Sequence, residues 1–270
     1  MDKIKYTLKK GDSLLLPVYN GKTINRMPDL ITQGYIPISI AEIIEQRINA
    51  YQLKNQELSQ LWERNYFDSG DVIMYHPDGR IKIVFDSETL RSINPLTKLG
   101  LFESQLLSEG IFDKTQGIEF STRDIERFAN KYLSKKDVLN NPIWIALVRG
   151  DKELLKEYTN QVYSKVDNFN SMKIWIDKAS PHEEERFWYI SSLDYGSTLY
   201  GNQFGSCLNR NNGRLIGVDS KMNASKKIES SNKKINLKKF MRDLESLENE
   251  ELLTKAQILY ETYKDKKFSL

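Results

Sequence analysis

The sequence predicts an α+β fold, and three observations carry that prediction. Residues 3–8 and 72–85 read as strands, the first by strict alternation and the second as two β-branched runs around a turn. Residues 39–51, 121–133 and 152–166 repeat apolar side chains at helical spacing. The two kinds of segment do not alternate as βαβ units, which disfavours a doubly wound parallel sheet. The expected arrangement is a strand- and hairpin-containing N-terminal part, a helical middle and a C-terminal helical pair.

The elements follow in order. Ile4, Tyr6 and Leu8 alternate with Lys3, Lys5 and Thr7, the pattern of a half-buried strand. Leu14 to Tyr19 continues as an extended segment after the turn at Gly11-Asp12, and Pro17 is expected to hold it at a sheet edge or break it. Ser39 and Glu42 form a capping box ahead of a helix whose stripe is Ile40, Ile43, Ile44, Ile48 and Tyr51. A second helix covers about residues 56–65. His76-Pro77-Asp78-Gly79 closes a hairpin, with Pro pre-setting the first turn angle and Gly taking the positive one. Ser121 caps a helix carrying Ile125, Phe128, Tyr132 and Leu133, and Asn141-Pro142 opens a buried one. Gly150 stops that helix and Asp151 caps the next, Lys152–Val166. Residues 172–177 and 187–191 read as strands or short buried segments, 195–213 as a long loop, and 214–218 as a short strand.

Three domain parts are expected: an α+β core at 1–219, a Lys/Ser/Asn-rich linker at 220–235 and a C-terminal helical segment at 236–270 packed on the core. Charge supports the middle boundary. Residues 210–242 hold ten Lys and Arg against two acids, a local +8, whereas the whole chain carries +3. The remainder is therefore −5. A single cysteine, Cys207, excludes an intrachain disulfide. No stretch resembles a signal peptide or reaches the ~18 apolar residues of a membrane span. These features predict a cytoplasmic chain with no membrane partner.

The search for chemistry yields fragments. Gly11-Asp12-Ser13-Leu14 resembles the opening motif of the GDSL hydrolases, which implies Ser13 as nucleophile. That family also needs a late Asp-x-x-His, and neither His76 nor His182 has Asp three residues before it. His182 followed by Glu183, Glu184 and Glu185 reads as a helix N-terminus after Pro181, not as a metal site. No metal is expected, and no cofactor is named by any motif. Residues 195–214 combine four glycines with Tyr195, Tyr200, Phe204, Arg210 and Arg214. Glycine lets backbone approach a ligand and Arg binds carboxylate or phosphate bidentately. A ligand site is therefore sought at Tyr195, Tyr200, Cys207, Arg210 and Arg214, with His182 nearby. The alternative is a loop that closes over the core on its aromatic anchors. The basic stretch offers Lys226, Lys227, Lys233, Lys234, Lys238 and Lys239 to a nucleic acid.

Three functional classes follow. One is a non-catalytic interaction or structural module with a protein partner, favoured because no catalytic set is complete. One is a nucleic-acid-associated protein using residues 210–242. One is an enzyme with its site in the 195–214 loop.

Overall fold

The computed structural model describes residues 2–219, except 8–12, 101–102, 166–170, 178–179 and 204. The linker at 220–235, the helical segment at 236–270 and the six lysines from Lys226 to Lys239 lie outside the described residues, as do Gly11 and Asp12. Eleven strands are seen among them: β1 Asp2–Thr7, β2 Ser13–Asn20, β3 Tyr35–Pro37, β4 Phe67–Tyr75, β5 Ile81–Val84, β6 Gln105–Leu106, β7 Ile118–Phe120, β8 Ile174–Trp175, β9 Glu184–Ile190, β10 Leu199–Tyr200 and β11 Arg214–Asp219. The helices are α1 Thr23–Thr32, α2 Ile40–Gln52, α3 Gln56–Trp62, α4 Glu88–Arg91, α5 Ile111–Lys114, α6 Thr122–Phe128, α7 Lys135–Leu139, α8 Pro142–Leu147 and α9 Lys152–Lys165. The fold is α+β.

Local chemistry starts most of the helices. Ser39 accepts the Glu42 N–H while the Glu42 carboxylate accepts the Ser39 N–H, and Ser121 with Asp124 and Ser134 with Asp137 repeat the device. Asn141 accepts from the N–H groups of Ile143 and Trp144, with Pro142 at the first helical position. Ser39→Ala should therefore cost about 1 kcal/mol, read as a lower denaturant midpoint at unchanged slope. An unshifted midpoint would mean that tertiary packing alone holds the start of α2.

The sheet runs β1-β2-β11-β4-β9-β10-β8, with β5 and β7 continuing from β4, β6 on β9, and β3 on β11. β4 lies at its centre, all nine residues buried. Val72 and Met74 enter a core with Ile24, Met27 and Leu30 of α1, Leu90 of α4 and Phe112 of α5. α2 packs on β4 as well, and α9 packs on α2.

Three expectations need correction. Pro17 is not on an edge strand, because β2 lies between β1 and β11. It can stay there because the ladder with β11 stops at Val18, and β11 then pairs with β3 from Gly217 onward. The helix begun by Ser121 ends at Phe128, and Asn130 takes the left-handed conformation at φ 56°, which Asn tolerates. Glu183 to Glu185 do not open a helix: Glu184 and Glu185 begin β9. Their carboxylates are buried with partners. Glu183 accepts the N–H groups of Gly110 and Phe112, both at 2.8 Å. Glu184 pairs with Arg186 at 2.8 Å, and Glu185 accepts from Ser87 and Thr89. The apolar run behind them, Phe187-Trp188-Tyr189-Ile190, pairs with β4 and decides the conformation.

One irregularity positions the site. The β4–β9 register shifts between Asp68 and Val72, so the segment Asp68-Ser69-Gly70-Asp71 bulges. Gly70 is required there, since an added Cβ would lie 2.7 Å from the Pro37 carbonyl oxygen. The bulge turns two fully buried carboxylates, Asp68 and Asp71, toward different elements. Asp71 receives Arg149 at 2.6 Å and the N–H of Ile40 at 2.8 Å. Asp68 belongs to the site.

Candidate functional site

Register places a row of side chains across four strands. Asp68 of β4 faces Tyr189 of β9, Tyr189 faces Tyr200 of β10, and Tyr200 faces Trp175 of β8. Paired residues project to the same side of a sheet. The rings of Tyr189 and Tyr200 meet at 5.4 Å, and Tyr66, one residue before β4, meets Tyr189 at 5.5 Å. Trp175, Tyr200, Tyr189 and Tyr66 are all partly exposed.

The 201–213 loop folds back over this row. Its glycines serve the protein's own packing. A Cβ on Gly205 would collide with Tyr200, one on Gly201 would press on Ile73 and Trp188, and one on Gly213 would meet Gly21 O and Asp68. The loop thus delivers Arg210, whose guanidinium sits 4.4 Å from the Tyr189 ring centroid and 5.5 Å from that of Tyr66. Such stacking contributes about 0.5–1 kcal/mol at exposed sites and more when desolvated.

Asp68 anchors the arrangement. Its carboxylate accepts from Arg210 Nη2 at 3.2 Å, the Arg214 backbone N–H at 2.9 Å and the Thr23 hydroxyl at 3.1 Å. Burial pushes its carboxyl up to about 6, against the opposing pull of Arg210, the Arg214 N–H and Thr23. Arg214 begins β11, stands 5.7 Å from the Phe67 ring centroid, and donates from Nη1 to Asn65 Oδ1 at 2.8 Å.

The residues sought from sequence are distributed unevenly. Tyr200 lies in the row and Arg210 over it, whereas Arg214, one residue before the Leu215 that pairs with Asp68, alternates to the other side of the sheet with Asn65 and Phe67. Cys207 is half-buried in the covering loop and its thiol donates to the Gln203 carbonyl. Burial raises the thiol pKa, which holds it protonated, the opposite of an activated nucleophile. Tyr195 stands 77% exposed on a single 3-10 turn outside the row. His182 is exposed before β9, beyond Glu184, which is itself roughly 17 Å along the strand from Tyr189. Ser13 begins β2, paired with Thr7. The sequence reading missed Tyr66, Asp68, Trp175 and Tyr189. Only a register could join them, although the density of aromatics at 66–67 and 187–189 was a usable signal.

Comparison with known proteins gives the class of fold. No family model matches the chain, and no curated protein matches it. Among solved structures the chain is similar to one described as accommodating massive sequence variation in Nanoarchaeota by the C-type lectin fold. The TM-score is 0.57 at 15% identity, over 75% of this chain and 97% of that one. At that identity the likeness concerns the fold alone, a C-type lectin-like α+β architecture. Among the described residues no helix is long and apolar enough to cross a membrane.

Proposed function

We propose that this chain is a non-catalytic interaction module that binds a protein partner on the row Trp175–Tyr200–Tyr189–Tyr66, with Arg210 laid across it. The supporting observation is the cross-strand register that sets these rings side by side, part-exposed, on a rigid sheet. Tyr, Trp and Arg are the residues most enriched among interface hot spots, because they supply large contact area at low entropic cost. The Arg210–Asp68 pair and the glycine-packed loop hold that set in place before a partner arrives, which lowers the cost of binding.

Selection of a phage-displayed random dodecapeptide library on the full-length protein tests this. Selected peptides should bind Tyr66→Ser or Trp175→Ser at least about tenfold more weakly than the parent. Tyr195→Ser, outside the row, should bind them unchanged. Recovery of no binders, or of binders indifferent to both row substitutions, would overturn the reading.

A further inference from the structure

Arg91 stands apart from the other arginines inside the fold. Arg47, Arg80, Arg186, Arg210 and Arg214, buried or part-buried, each donate at least one side-chain hydrogen bond within the chain. Arg91, also part-buried, donates none among the described residues. Asp86 Oδ1 stands 3.5 Å from its Nε and Glu88 Oε1 4.0 Å from its Nη2, near enough to act on its charge, yet neither forms a hydrogen bond with it. Its Nε is buried without a partner, while Nη1 and Nη2 keep access to solvent. Arg91 ends α4 and lines a cleft of about 420 Å³ between α4, the end of α1 and β3. That volume lies at the small end of the ~300–1,000 Å³ typical of small-molecule sites. Ile31, Tyr35 and Ile36 supply the apolar wall, and Glu88 and Ser92 the other polar side chains. The Ser92 hydroxyl donates to the Thr89 carbonyl at 2.7 Å, so its oxygen is left to act as an acceptor. No residue of the aromatic row lines this cleft.

From this we infer that the cleft is a second binding site, for a free α-amino acid with an apolar side chain. The ligand carboxylate is received end-on by Nη1 and Nη2 of Arg91, its ammonium lies between Glu88 and Ser92, and its side chain rests on Ile31, Tyr35 and Ile36. A planar fork facing a carboxylate forms two parallel charge-assisted hydrogen bonds. Charge complementarity selects the zwitterion. Asp86 and Glu88 face the single guanidinium, a local excess of one negative charge. A bare anion would meet that excess, whereas an ammonium beside the carboxylate offsets it. The Arg91–Glu88 separation is too long for a direct hydrogen bond, and a ligand with both charges on adjacent groups bridges it. The apolar wall then favours a hydrocarbon side chain over a polar one, by about 25 cal/mol for each Å² covered.

Calorimetric titration of the full-length protein with L-leucine, L-methionine and L-phenylalanine tests this. At least one should bind with a Kd of about 1 mM or tighter. For that ligand, the matching carboxylic acid without the ammonium and the matching amine without the carboxylate should each bind at least about tenfold more weakly. Arg91→Gln should weaken the amino acid at least about tenfold, and Arg91→Lys, which keeps the charge and loses the fork, should fall between. Glu88→Gln gives a second reading that does not depend on the Arg91 variants folding, because the Glu88 side chain is 93% exposed. It should weaken the amino acid by about threefold or more and should not weaken the ammonium-free acid. Tyr195→Ser, outside the cleft, should bind as the parent does. No binding of any of the three up to about 10 mM would overturn the inference. So would an acid or amine that binds as well as the amino acid, or binding unaltered in both Arg91→Gln and Glu88→Gln. Each of these results leaves the aromatic row and its peptides untouched, since the cleft shares no residue with them.

Discussion

Arg47→Ala should destabilise the domain by about 4 kcal/mol, the range found when a buried charged group is removed from its partners. Arg47 is fully buried on α2. Nε donates to the Trp62 carbonyl, Nη1 to the Tyr158 and Ser197 hydroxyls, and Nη2 to the Asn65 and Ser191 carbonyls, at 2.7–3.2 Å. Every N–H of the guanidinium is used, and the acceptors come from α3, α9, the segment between α3 and β4, and the segment after β9. Alanine would leave three buried carbonyls without donors and a cavity where the side chain was. Met restores volume without donors and should recover only the cavity part. Lys restores three donors and should recover more. Denaturant midpoints of the three variants give the order, and a loss below about 1 kcal/mol for Arg47→Ala would contradict this account of the core. The variant should also weaken peptide binding, because Arg47 holds the carbonyl of Asn65, the residue before Tyr66.

Lowering the pH from about 8.5 to about 5.5 should stabilise the protein, and Glu185→Gln should remove most of the gain that occurs near neutrality. Glu185 is fully buried on β9. One carboxylate oxygen accepts from Ser87 at 3.0 Å and Thr89 at 2.9 Å, and the other has no hydrogen-bond partner. No cation offsets the burial, which pushes the carboxyl from 4.5 up to about 7. The folded value lies above the unfolded one, so the folded chain binds this proton more tightly. The resulting stability is fully present below about pH 4.5 and is lost as pH rises through about 7. Ionised Glu185 therefore costs on the order of 3 kcal/mol at pH 8 and above. Asp68 and Asp71, each pushed up to about 6 by burial, act in the same direction over a lower window. At about pH 8.5 Glu185→Gln should be more stable than the parent by about 2 kcal/mol, with the difference vanishing near pH 5. Parallel stability–pH curves for the two proteins would show that Glu185 is ionised without penalty.

The two predictions concern opposite sides of one strand pair, and neither was readable before folding. Arg47 is absent from the stripe Ile40, Ile43, Ile44, Ile48 and Tyr51, because periodicity marks apolar positions and cannot mark a buried cation. Glu185 looked like an acid at a helix N-terminus, because three consecutive acids carry no strand signature. In both cases distant acceptors or donors, contributed by segments more than ten residues away in sequence, make the burial tolerable.

What the sequence determined by itself was local. The Ser39–Glu42 box, the Ser121 cap, the Pro-Asp-Gly hairpin, the Asn141-Pro142 start and the Gly150 stop lie where read, since each is settled by hydrogen bonds and backbone angles within a few residues. The mixed fold class followed from these pieces. What only the tertiary structure decided was everything set by register. Pro17 is tolerated inside the sheet because β11 leaves it at Gly217. The glycines at 201, 205 and 213 fit against Ile73, Tyr200 and Asp68. Tyr66, Trp175, Tyr189 and Tyr200, spread over more than 130 residues of chain, come together above the buried Asp68. The physical reason is that strand pairing joins residues by hydrogen bonds between backbones, which carry no side-chain signal until the partners are known.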